Sequence, residues 1–127
     1  MVKPKILVVD GDLANLHRMK GKLEKWGFQV FVAVNRSEFE TAAFKITPDL
    51  IILDIMLGDQ NAAHVYDNLI TRGLDRKIPV IFLSDLVNGR PESYGYPGRT
   101  YSLHRKAFEP EQLRKEIDFL VKAPRGN

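Results

Sequence analysis

The chain has 127 residues, 44% apolar and 28% charged, with no cysteine and a formal charge of +3. That length suits one domain with its own core, and the missing cysteines exclude disulfides, thiolate metal sites and thiol nucleophiles together. The charge is a weak field that no single stretch concentrates, so direct nucleic-acid binding is not expected.

At the amino end, Met1-Val2-Lys3-Pro4-Lys5 precedes a short apolar run that Asp10 closes. The run is too short for a signal peptide, and no segment has the length of a membrane span. A cytoplasmic domain without membrane contact is expected.

Residues 6–9 (Ile-Leu-Val-Val) form the first predicted strand. Leu13, Leu16, Met19, Leu23 and Trp26 follow at helical spacing, on one face of a first helix, with Gly27 at its C′ position. Residues 30–34 are the longest unbroken apolar run and form a second strand. Ser37 is placed to cap a second helix carrying Phe39, Ala43 and Phe44. A third strand covers 50–53. A third helix carries Ala62, Val65, Tyr66 and Leu69, and Gly73 stands just after it. Residues 80–83 make a fourth strand.

Residues 88–99 break the pattern. Three glycines and two prolines fall in that stretch, so an irregular loop or a short helix is expected where a fourth helix belongs. A weaker strand is expected near 100–103. Pro110 then opens a last helix with Leu113, Ile117 and Leu120 as its buried stripe. The domain is expected to span 1–122, with 123–127 a disordered tail.

The strand runs are apolar on both faces, as in a parallel sheet covered by helices on each side. Alternation of strand and helix then implies right-handed crossovers and a doubly wound α/β fold. Ligands of such sheets bind beyond the carboxyl ends of the strands. The residues to read there are Asp10, Asp54, Ser84 and, shortly after the fifth strand, Lys106. Two neighbouring carboxylates repel, and a hard divalent cation such as Mg²⁺ compensates them through oxygen ligands. With Lys106 and the Ser84 hydroxyl added, the set suits a phosphoryl group carried on a carboxylate.

Four motifs in order carry a resemblance. They are Val8-Val9-Asp10-Gly11-Asp12, Pro48-Asp49-Leu50-Ile51-Ile52-Leu53-Asp54-Ile55-Met56-Leu57, Ile78-Pro79-Val80-Ile81-Phe82-Leu83-Ser84 and Lys106-Ala107-Phe108. The chain resembles the receiver domain of two-component response regulators from about Lys5 to Val121. The resemblance implies a flavodoxin-like, five-stranded parallel sheet of order 2-1-3-4-5. It implies that Asp54 accepts a phosphoryl group from a histidine kinase or phosphotransfer protein. It makes Asp10, Asp54 and the backbone carbonyl of Met56 ligands of Mg²⁺, Ser84 the switch hydroxyl and Lys106 the phosphate-binding lysine. The partner downstream is an output domain or a separate effector.

Several positions depart from the family. Gly11 replaces the second member of the acidic pair, which weakens the expected Mg²⁺ site. Asp12 either reaches the metal or caps the first helix, and the cap is the expected role. Asp85 follows Ser84 where a small residue is usual. Gly58, Ala62, Ala107 and Leu103 replace a proline, a glycine, a proline and an aromatic residue.

An alternative reading is therefore a phosphorylation-independent pseudo-receiver, docking constitutively through 88–99 and the last helix. A further alternative is a haloacid-dehalogenase-like phosphatase with Asp10 as nucleophile and Asp12 as general acid. The chain lacks room for that larger fold. His17, His64 and His104 lack ligand spacing and read as surface residues. Tyr94, Tyr96 and Tyr101, interleaved with arginines, read as loop packing rather than a nucleic-acid platform.

Overall fold

The computed structural model describes residues 3–54, 56–58, 60–84, 101–105 and 110–122, with backbone alone for Met56, Ser84 and Tyr101–Arg105. In chain order the elements are β1 (Lys5–Val9), α1 (Leu13–Lys25), β2 (Gln29–Ala33), α2 (Arg36–Ile46) and β3 (Leu50–Asp54). There follow β4 (Met56–Leu57), β5 (Gln60–Asn61), α3 (Ala62–Thr71), β6 (Val80–Ser84), β7 (Tyr101–Arg105) and α4 (Pro110–Lys122).

The five long strands pair in parallel in the order β2-β1-β3-β6-β7. Numbered within that sheet they read 2-1-3-4-5, as the family resemblance implies. Alternate residues of each strand feed opposite faces. Ile6, Val8, Leu50, Ile52, Ile81 and Leu83 pack under α1 and α4, against Leu16, Leu23, Leu113 and Ile117. Leu7, Val9, Ile51, Leu53, Val80 and Phe82 pack under α2 and α3, against Phe39, Ala43, Val65 and Leu69. Burial on both faces is why these runs carry no polar alternation.

Helix ends depart from the expectations in instructive ways. The cap of α2 is Asn35, whose Oδ1 accepts from the Glu38 N–H at 2.9 Å, and not Ser37, which lies inside the helix. Glu38 in turn accepts from the Val34 N–H at 2.9 Å, a reciprocal clamp close to a capping box. Of the five residues assigned to the buried face of α1, Leu16, Met19 and Leu23 are buried. Leu13, the first residue of the helix, is 60% exposed, and Trp26 is the C-cap, half-buried. Phe44 is also largely exposed, with Arg72 5.8 Å from its ring centroid. Gly27 and Gly73 have φ of 98° and 109°, the left-handed geometry expected after α1 and α3.

One element was not expected. Immediately after β3, β4 and β5 form a small antiparallel hairpin, Met56 opposite Asn61 and Leu57 opposite Gln60. Gly58 turns it with φ 68°, a value closed to the proline that the family carries there. The expected irregular stretch 88–99 and the tail 123–127 lie outside the described residues.

Candidate functional site

The site is assembled at the carboxyl edge of the sheet. Val9 of β1 is in register with Leu53 of β3, so Asp10 and Asp54 occupy neighbouring positions at that edge. Asp54 is also paired with Leu83 of β6. Both carboxylate residues are buried, Asp10 at 5% and Asp54 at 8% exposure, and no other charged residue described is buried so far. Local hydrogen bonds orient the first of them. The Asp10 N–H donates to the Ala33 carbonyl at 3.1 Å, and Asp10 Oδ1 accepts from the Asp12 N–H at 2.9 Å.

Asp12 is the N-cap of α1. Its Oδ1 accepts from the N–H groups of Ala14 at 2.9 Å and Asn15 at 3.3 Å. The expected capping role is thus what the structure displays. Asp12→Ala should cost about 1 kcal/mol of stability, read as a lower urea midpoint with unchanged slope. Asp12→Asn should cost much less, and equal losses from both would remove the cap from the explanation.

Gly11 stands between these two acids. A Cβ built there meets only the Val34 carbonyl oxygen, at 3.8 Å, an ordinary contact, and Gly11 is not among the left-handed residues. Neither sterics nor backbone geometry demands glycine at this position.

Of the other predicted site residues, Ser84 ends β6 in register with Arg105 of β7, which puts its backbone at the same edge. Met56 lies in β4, two residues past Asp54. The side chains of Met56 and Ser84, and residues Ile55, Asp85 and Lys106, lie outside what is described. Beside Asp10 a cavity of about 90 Å³ opens, floored by Val8, Ile52 and Leu83, with Asn15, Arg18 and Lys22 also lining it.

A polar cluster that sequence reading missed braces the hairpin after Asp54. Arg36 Nε donates to Glu40 Oε1 at 2.7 Å, and Arg36 Nη1 reaches Gln60 Oε1 at 3.4 Å. Arg72 at the end of α3 lies 3.4 Å from the other Glu40 oxygen. Asn61 caps α3 by accepting from the Ala63 N–H at 2.8 Å. The i,i+4 spacing of Arg36 and Glu40 was legible, but Gln60 and Arg72 join only through the fold.

The Arg36 hydrogen bond, followed by the contact with Arg72, holds the Glu40 carboxyl below the ordinary glutamate value of 4.5, against the opposing effect of burial. A depressed folded value means a contribution that is full above pH 4.5 and lost as pH falls through the folded value. Wild type should therefore exceed Glu40→Gln in stability at neutral pH, and the gap should close on acidification below that value. A gap that stays constant with pH would show that the charge contributes nothing.

The donors gathered at the edge are carboxylate oxygens, which suit a hard divalent cation better than a soft one. Two buried carboxylates side by side also favour a cation between them. The chemistry of the donor set thus fits a hard cation such as Mg²⁺, which Asp10 and Asp54 would hold. Among the described residues, no group of three or more acidic, histidine or cysteine side chains gathers in metal-binding geometry. No described helix is long and apolar enough to cross a membrane.

The sequence profile of the response regulator receiver domain matches residues 6–118. The chain is 31% identical over 117 residues to the probable transcriptional regulator ycf29 of Pyropia yezoensis, covering 92% of this chain and 53% of that protein. It is 28% identical over 119 residues to the DNA-binding dual master transcriptional regulator RpaA of Synechocystis, covering 94% of this chain and 49% of that protein. The chain thus spans about half the length of these relatives. The crystal structure of the Vibrio cholerae chemotaxis protein CheY4 superposes with a TM-score of 0.79 at 21% identity, covering 94% of this chain and 99% of that one. That likeness concerns the fold, while the profile match over most of the length settles the family: the chain belongs to the receiver domains of response regulators, which are signalling domains.

Proposed function

We propose that this domain accepts a phosphoryl group on Asp54, from a histidine kinase or phosphotransfer protein, and passes the signal to an output domain or separate effector. The observation that carries this reading is the juxtaposition of two buried carboxylates, Asp10 and Asp54, at adjacent strand ends. An Asp54 oxygen attacks phosphorus, a P–O bond forms, and the bond to the donor histidine breaks. Asp10, Asp54 and the Met56 carbonyl are the groups that would hold Mg²⁺, which would draw negative charge off the phosphoryl oxygens when bound. By family resemblance Lys106 pairs with the phosphate and Ser84 orients one of its oxygens. A cytoplasmic site of action belongs to the same proposal.

Beryllofluoride, which mimics an aspartyl phosphate, tests this. Saturable, Mg²⁺-dependent amide shifts should appear around Asp10, Asp54 and Ser84 in wild type. Absence of binding at millimolar Mg²⁺ would overturn the reading.

A specific observation favours a second reading, the phosphate-independent pseudo-receiver. Gly11 removes an acidic ligand where the fold does not require glycine. Gly11→Asp should then tighten Mg²⁺ by about tenfold or more, a change of about 1.4 kcal/mol, whereas Gly11→Ala should leave it unchanged. Isothermal titration with Mg²⁺ reads this directly, and equal affinities in all three proteins would absolve Gly11. The profile match supports either receiver reading over the phosphatase, in which Asp10 would be the phosphorylated residue.

A further inference from the structure

The strand order leaves β2 at one edge of the sheet, paired with β1 alone among the described residues. Hydrogen bonds at its two ends fix which residues face inward. The Gln29 N–H donates to the Pro4 carbonyl at 3.0 Å, and the Ala33 carbonyl accepts from the Asp10 N–H at 3.1 Å. Successive residues of a strand turn their backbone groups to opposite sides, so Gln29, Phe31 and Ala33 face β1 while Val30 and Val32 face away from the sheet.

Natural edges are usually blunted by a charge, a proline or a bulge. Residues 29–34, Gln-Val-Phe-Val-Ala-Val, carry no charge, proline or glycine. β2 runs in unbroken one-to-one register with β1, without a bulge, and the Val32 residue is 42% exposed. Both ends of this edge are closed. The Phe28 N–H donates to the Leu23 carbonyl at 3.1 Å, and the Val34 N–H donates to Glu38 Oε1 at 2.9 Å.

We propose that β2 pairs antiparallel with β2 of a second copy of this chain, Val30 opposite Val32, across a two-fold axis at Phe31. The closed ends select that register. Val30 and Val32 each exchange both backbone groups with the other copy, and the bonds of Phe28 and Val34 stay intact. An axis at Val32 sets Val30 opposite Val34, and an axis at Val30 sets Val32 opposite Phe28. Either way the facing N–H is already engaged, and a valine carbonyl goes unpaired. On one face the two Phe31 rings meet as a non-hydrogen-bonded pair, the closer kind, beside the core cluster each already packs against. On the other, Val30 of each copy covers the exposed Val32 of its mate. Charge favours the same arrangement. Exposed Lys3 borders the start of the strand with Gln29 and Phe31, and Glu38 stands at its end. Antiparallel pairing brings these unlike ends together. Glu24, also at the start, lies 3.9 Å from Lys20. None of these residues takes part in the Asp54 chemistry.

Sedimentation equilibrium of the full chain should show a monomer–dimer equilibrium that shifts with concentration. Val32→Pro removes an outward N–H and no bond to β1, so the monomer keeps its ladder. The dimer should weaken at least about tenfold. Because the chain has no cysteine, a single introduced thiol reports the register. Non-hydrogen-bonded pairs have Cα atoms about 4.5 Å apart, within disulfide reach. Phe31→Cys should therefore cross-link under mild oxidation, whereas Val32→Cys and Ser37→Cys, displaced from the axis, should not. Asp54→Asn should dimerise like wild type, which separates this inference from the phosphoacceptor reading. A strictly monomeric wild type would leave the edge to a strand of another protein and overturn the proposal. So would a Val32→Pro dimer as tight as that of wild type, or cross-linking of Val32→Cys or Ser37→Cys as complete as that of Phe31→Cys. The wild-type measurement and the cysteine comparison decide the matter even if the proline variant unfolds.

Discussion

Asp54→Asn is expected to abolish phosphorylation by acetyl phosphate in the presence of Mg²⁺, leaving no acid-stable, base-labile acyl phosphate. The amide keeps the shape of the side chain but lacks the carboxylate oxygen that forms the P–O bond. It also removes one of two buried negative charges at the sheet edge. Relief of that repulsion means the fold should be no less stable, and the urea midpoint should hold or rise. Loss of phosphorylation with an intact fold therefore reports chemistry and not collapse. Asp10→Asn should weaken Mg²⁺ and slow phosphorylation, while the residual phosphate still maps to Asp54. Phosphate that persists in Asp54→Asn and disappears in Asp10→Asn would point instead to the phosphatase reading.

Phe39→Ala should have the largest effect on stability, about 3–5 kcal/mol from lost transfer energy and the cavity left behind. Phe39 is fully buried, and it is the largest of the side chains so enclosed among the described residues. It anchors α2 against the face of the sheet that also holds Leu53, the residue before Asp54. Domains of this size carry only about 5–15 kcal/mol in total, so the variant should lie near its unfolding transition at moderate temperature. Denaturant titration checks this, with a lower midpoint at unchanged slope. A loss below about 1 kcal/mol, the range of ordinary surface changes, would mean that the site refills by repacking.

Both predictions start from residues visible in the sequence, but visibility differed with the kind of interaction. The four apolar runs at 6–9, 30–34, 50–53 and 80–83 were legible because burial on both faces leaves no polar alternation. Their order with the intervening helices restricts the topology, since parallel crossovers take one hand. The capping role of Asp12 was legible too, because an N-cap is a bond within a few residues. Asn35 was missed in favour of Ser37 because Asn35, Arg36 and Ser37 offer two eligible caps, and only the start of the helix chooses between them.

What the sequence determined by itself was therefore local or periodic: the strand runs, the helix stripes, the α/β class and the position of each acid relative to its own strand. What only the tertiary structure decided was everything that depends on pairing across chain distance. The register of Val9 with Leu53 makes Asp10 and Asp54 neighbours. The Arg36–Glu40–Arg72 cluster and its tie to Gln60 join α2, α3 and the small hairpin. Leu13 shares the spacing of the apolar stripe of α1 and is nonetheless exposed. The charge of +3 read as diffuse along the chain, yet helix packing gathers Arg18, Lys22, Lys25 and Arg114 around one tryptophan. Spacing along a chain fixes which face a residue takes on its own element, whereas the neighbours of that face are set by how elements pack.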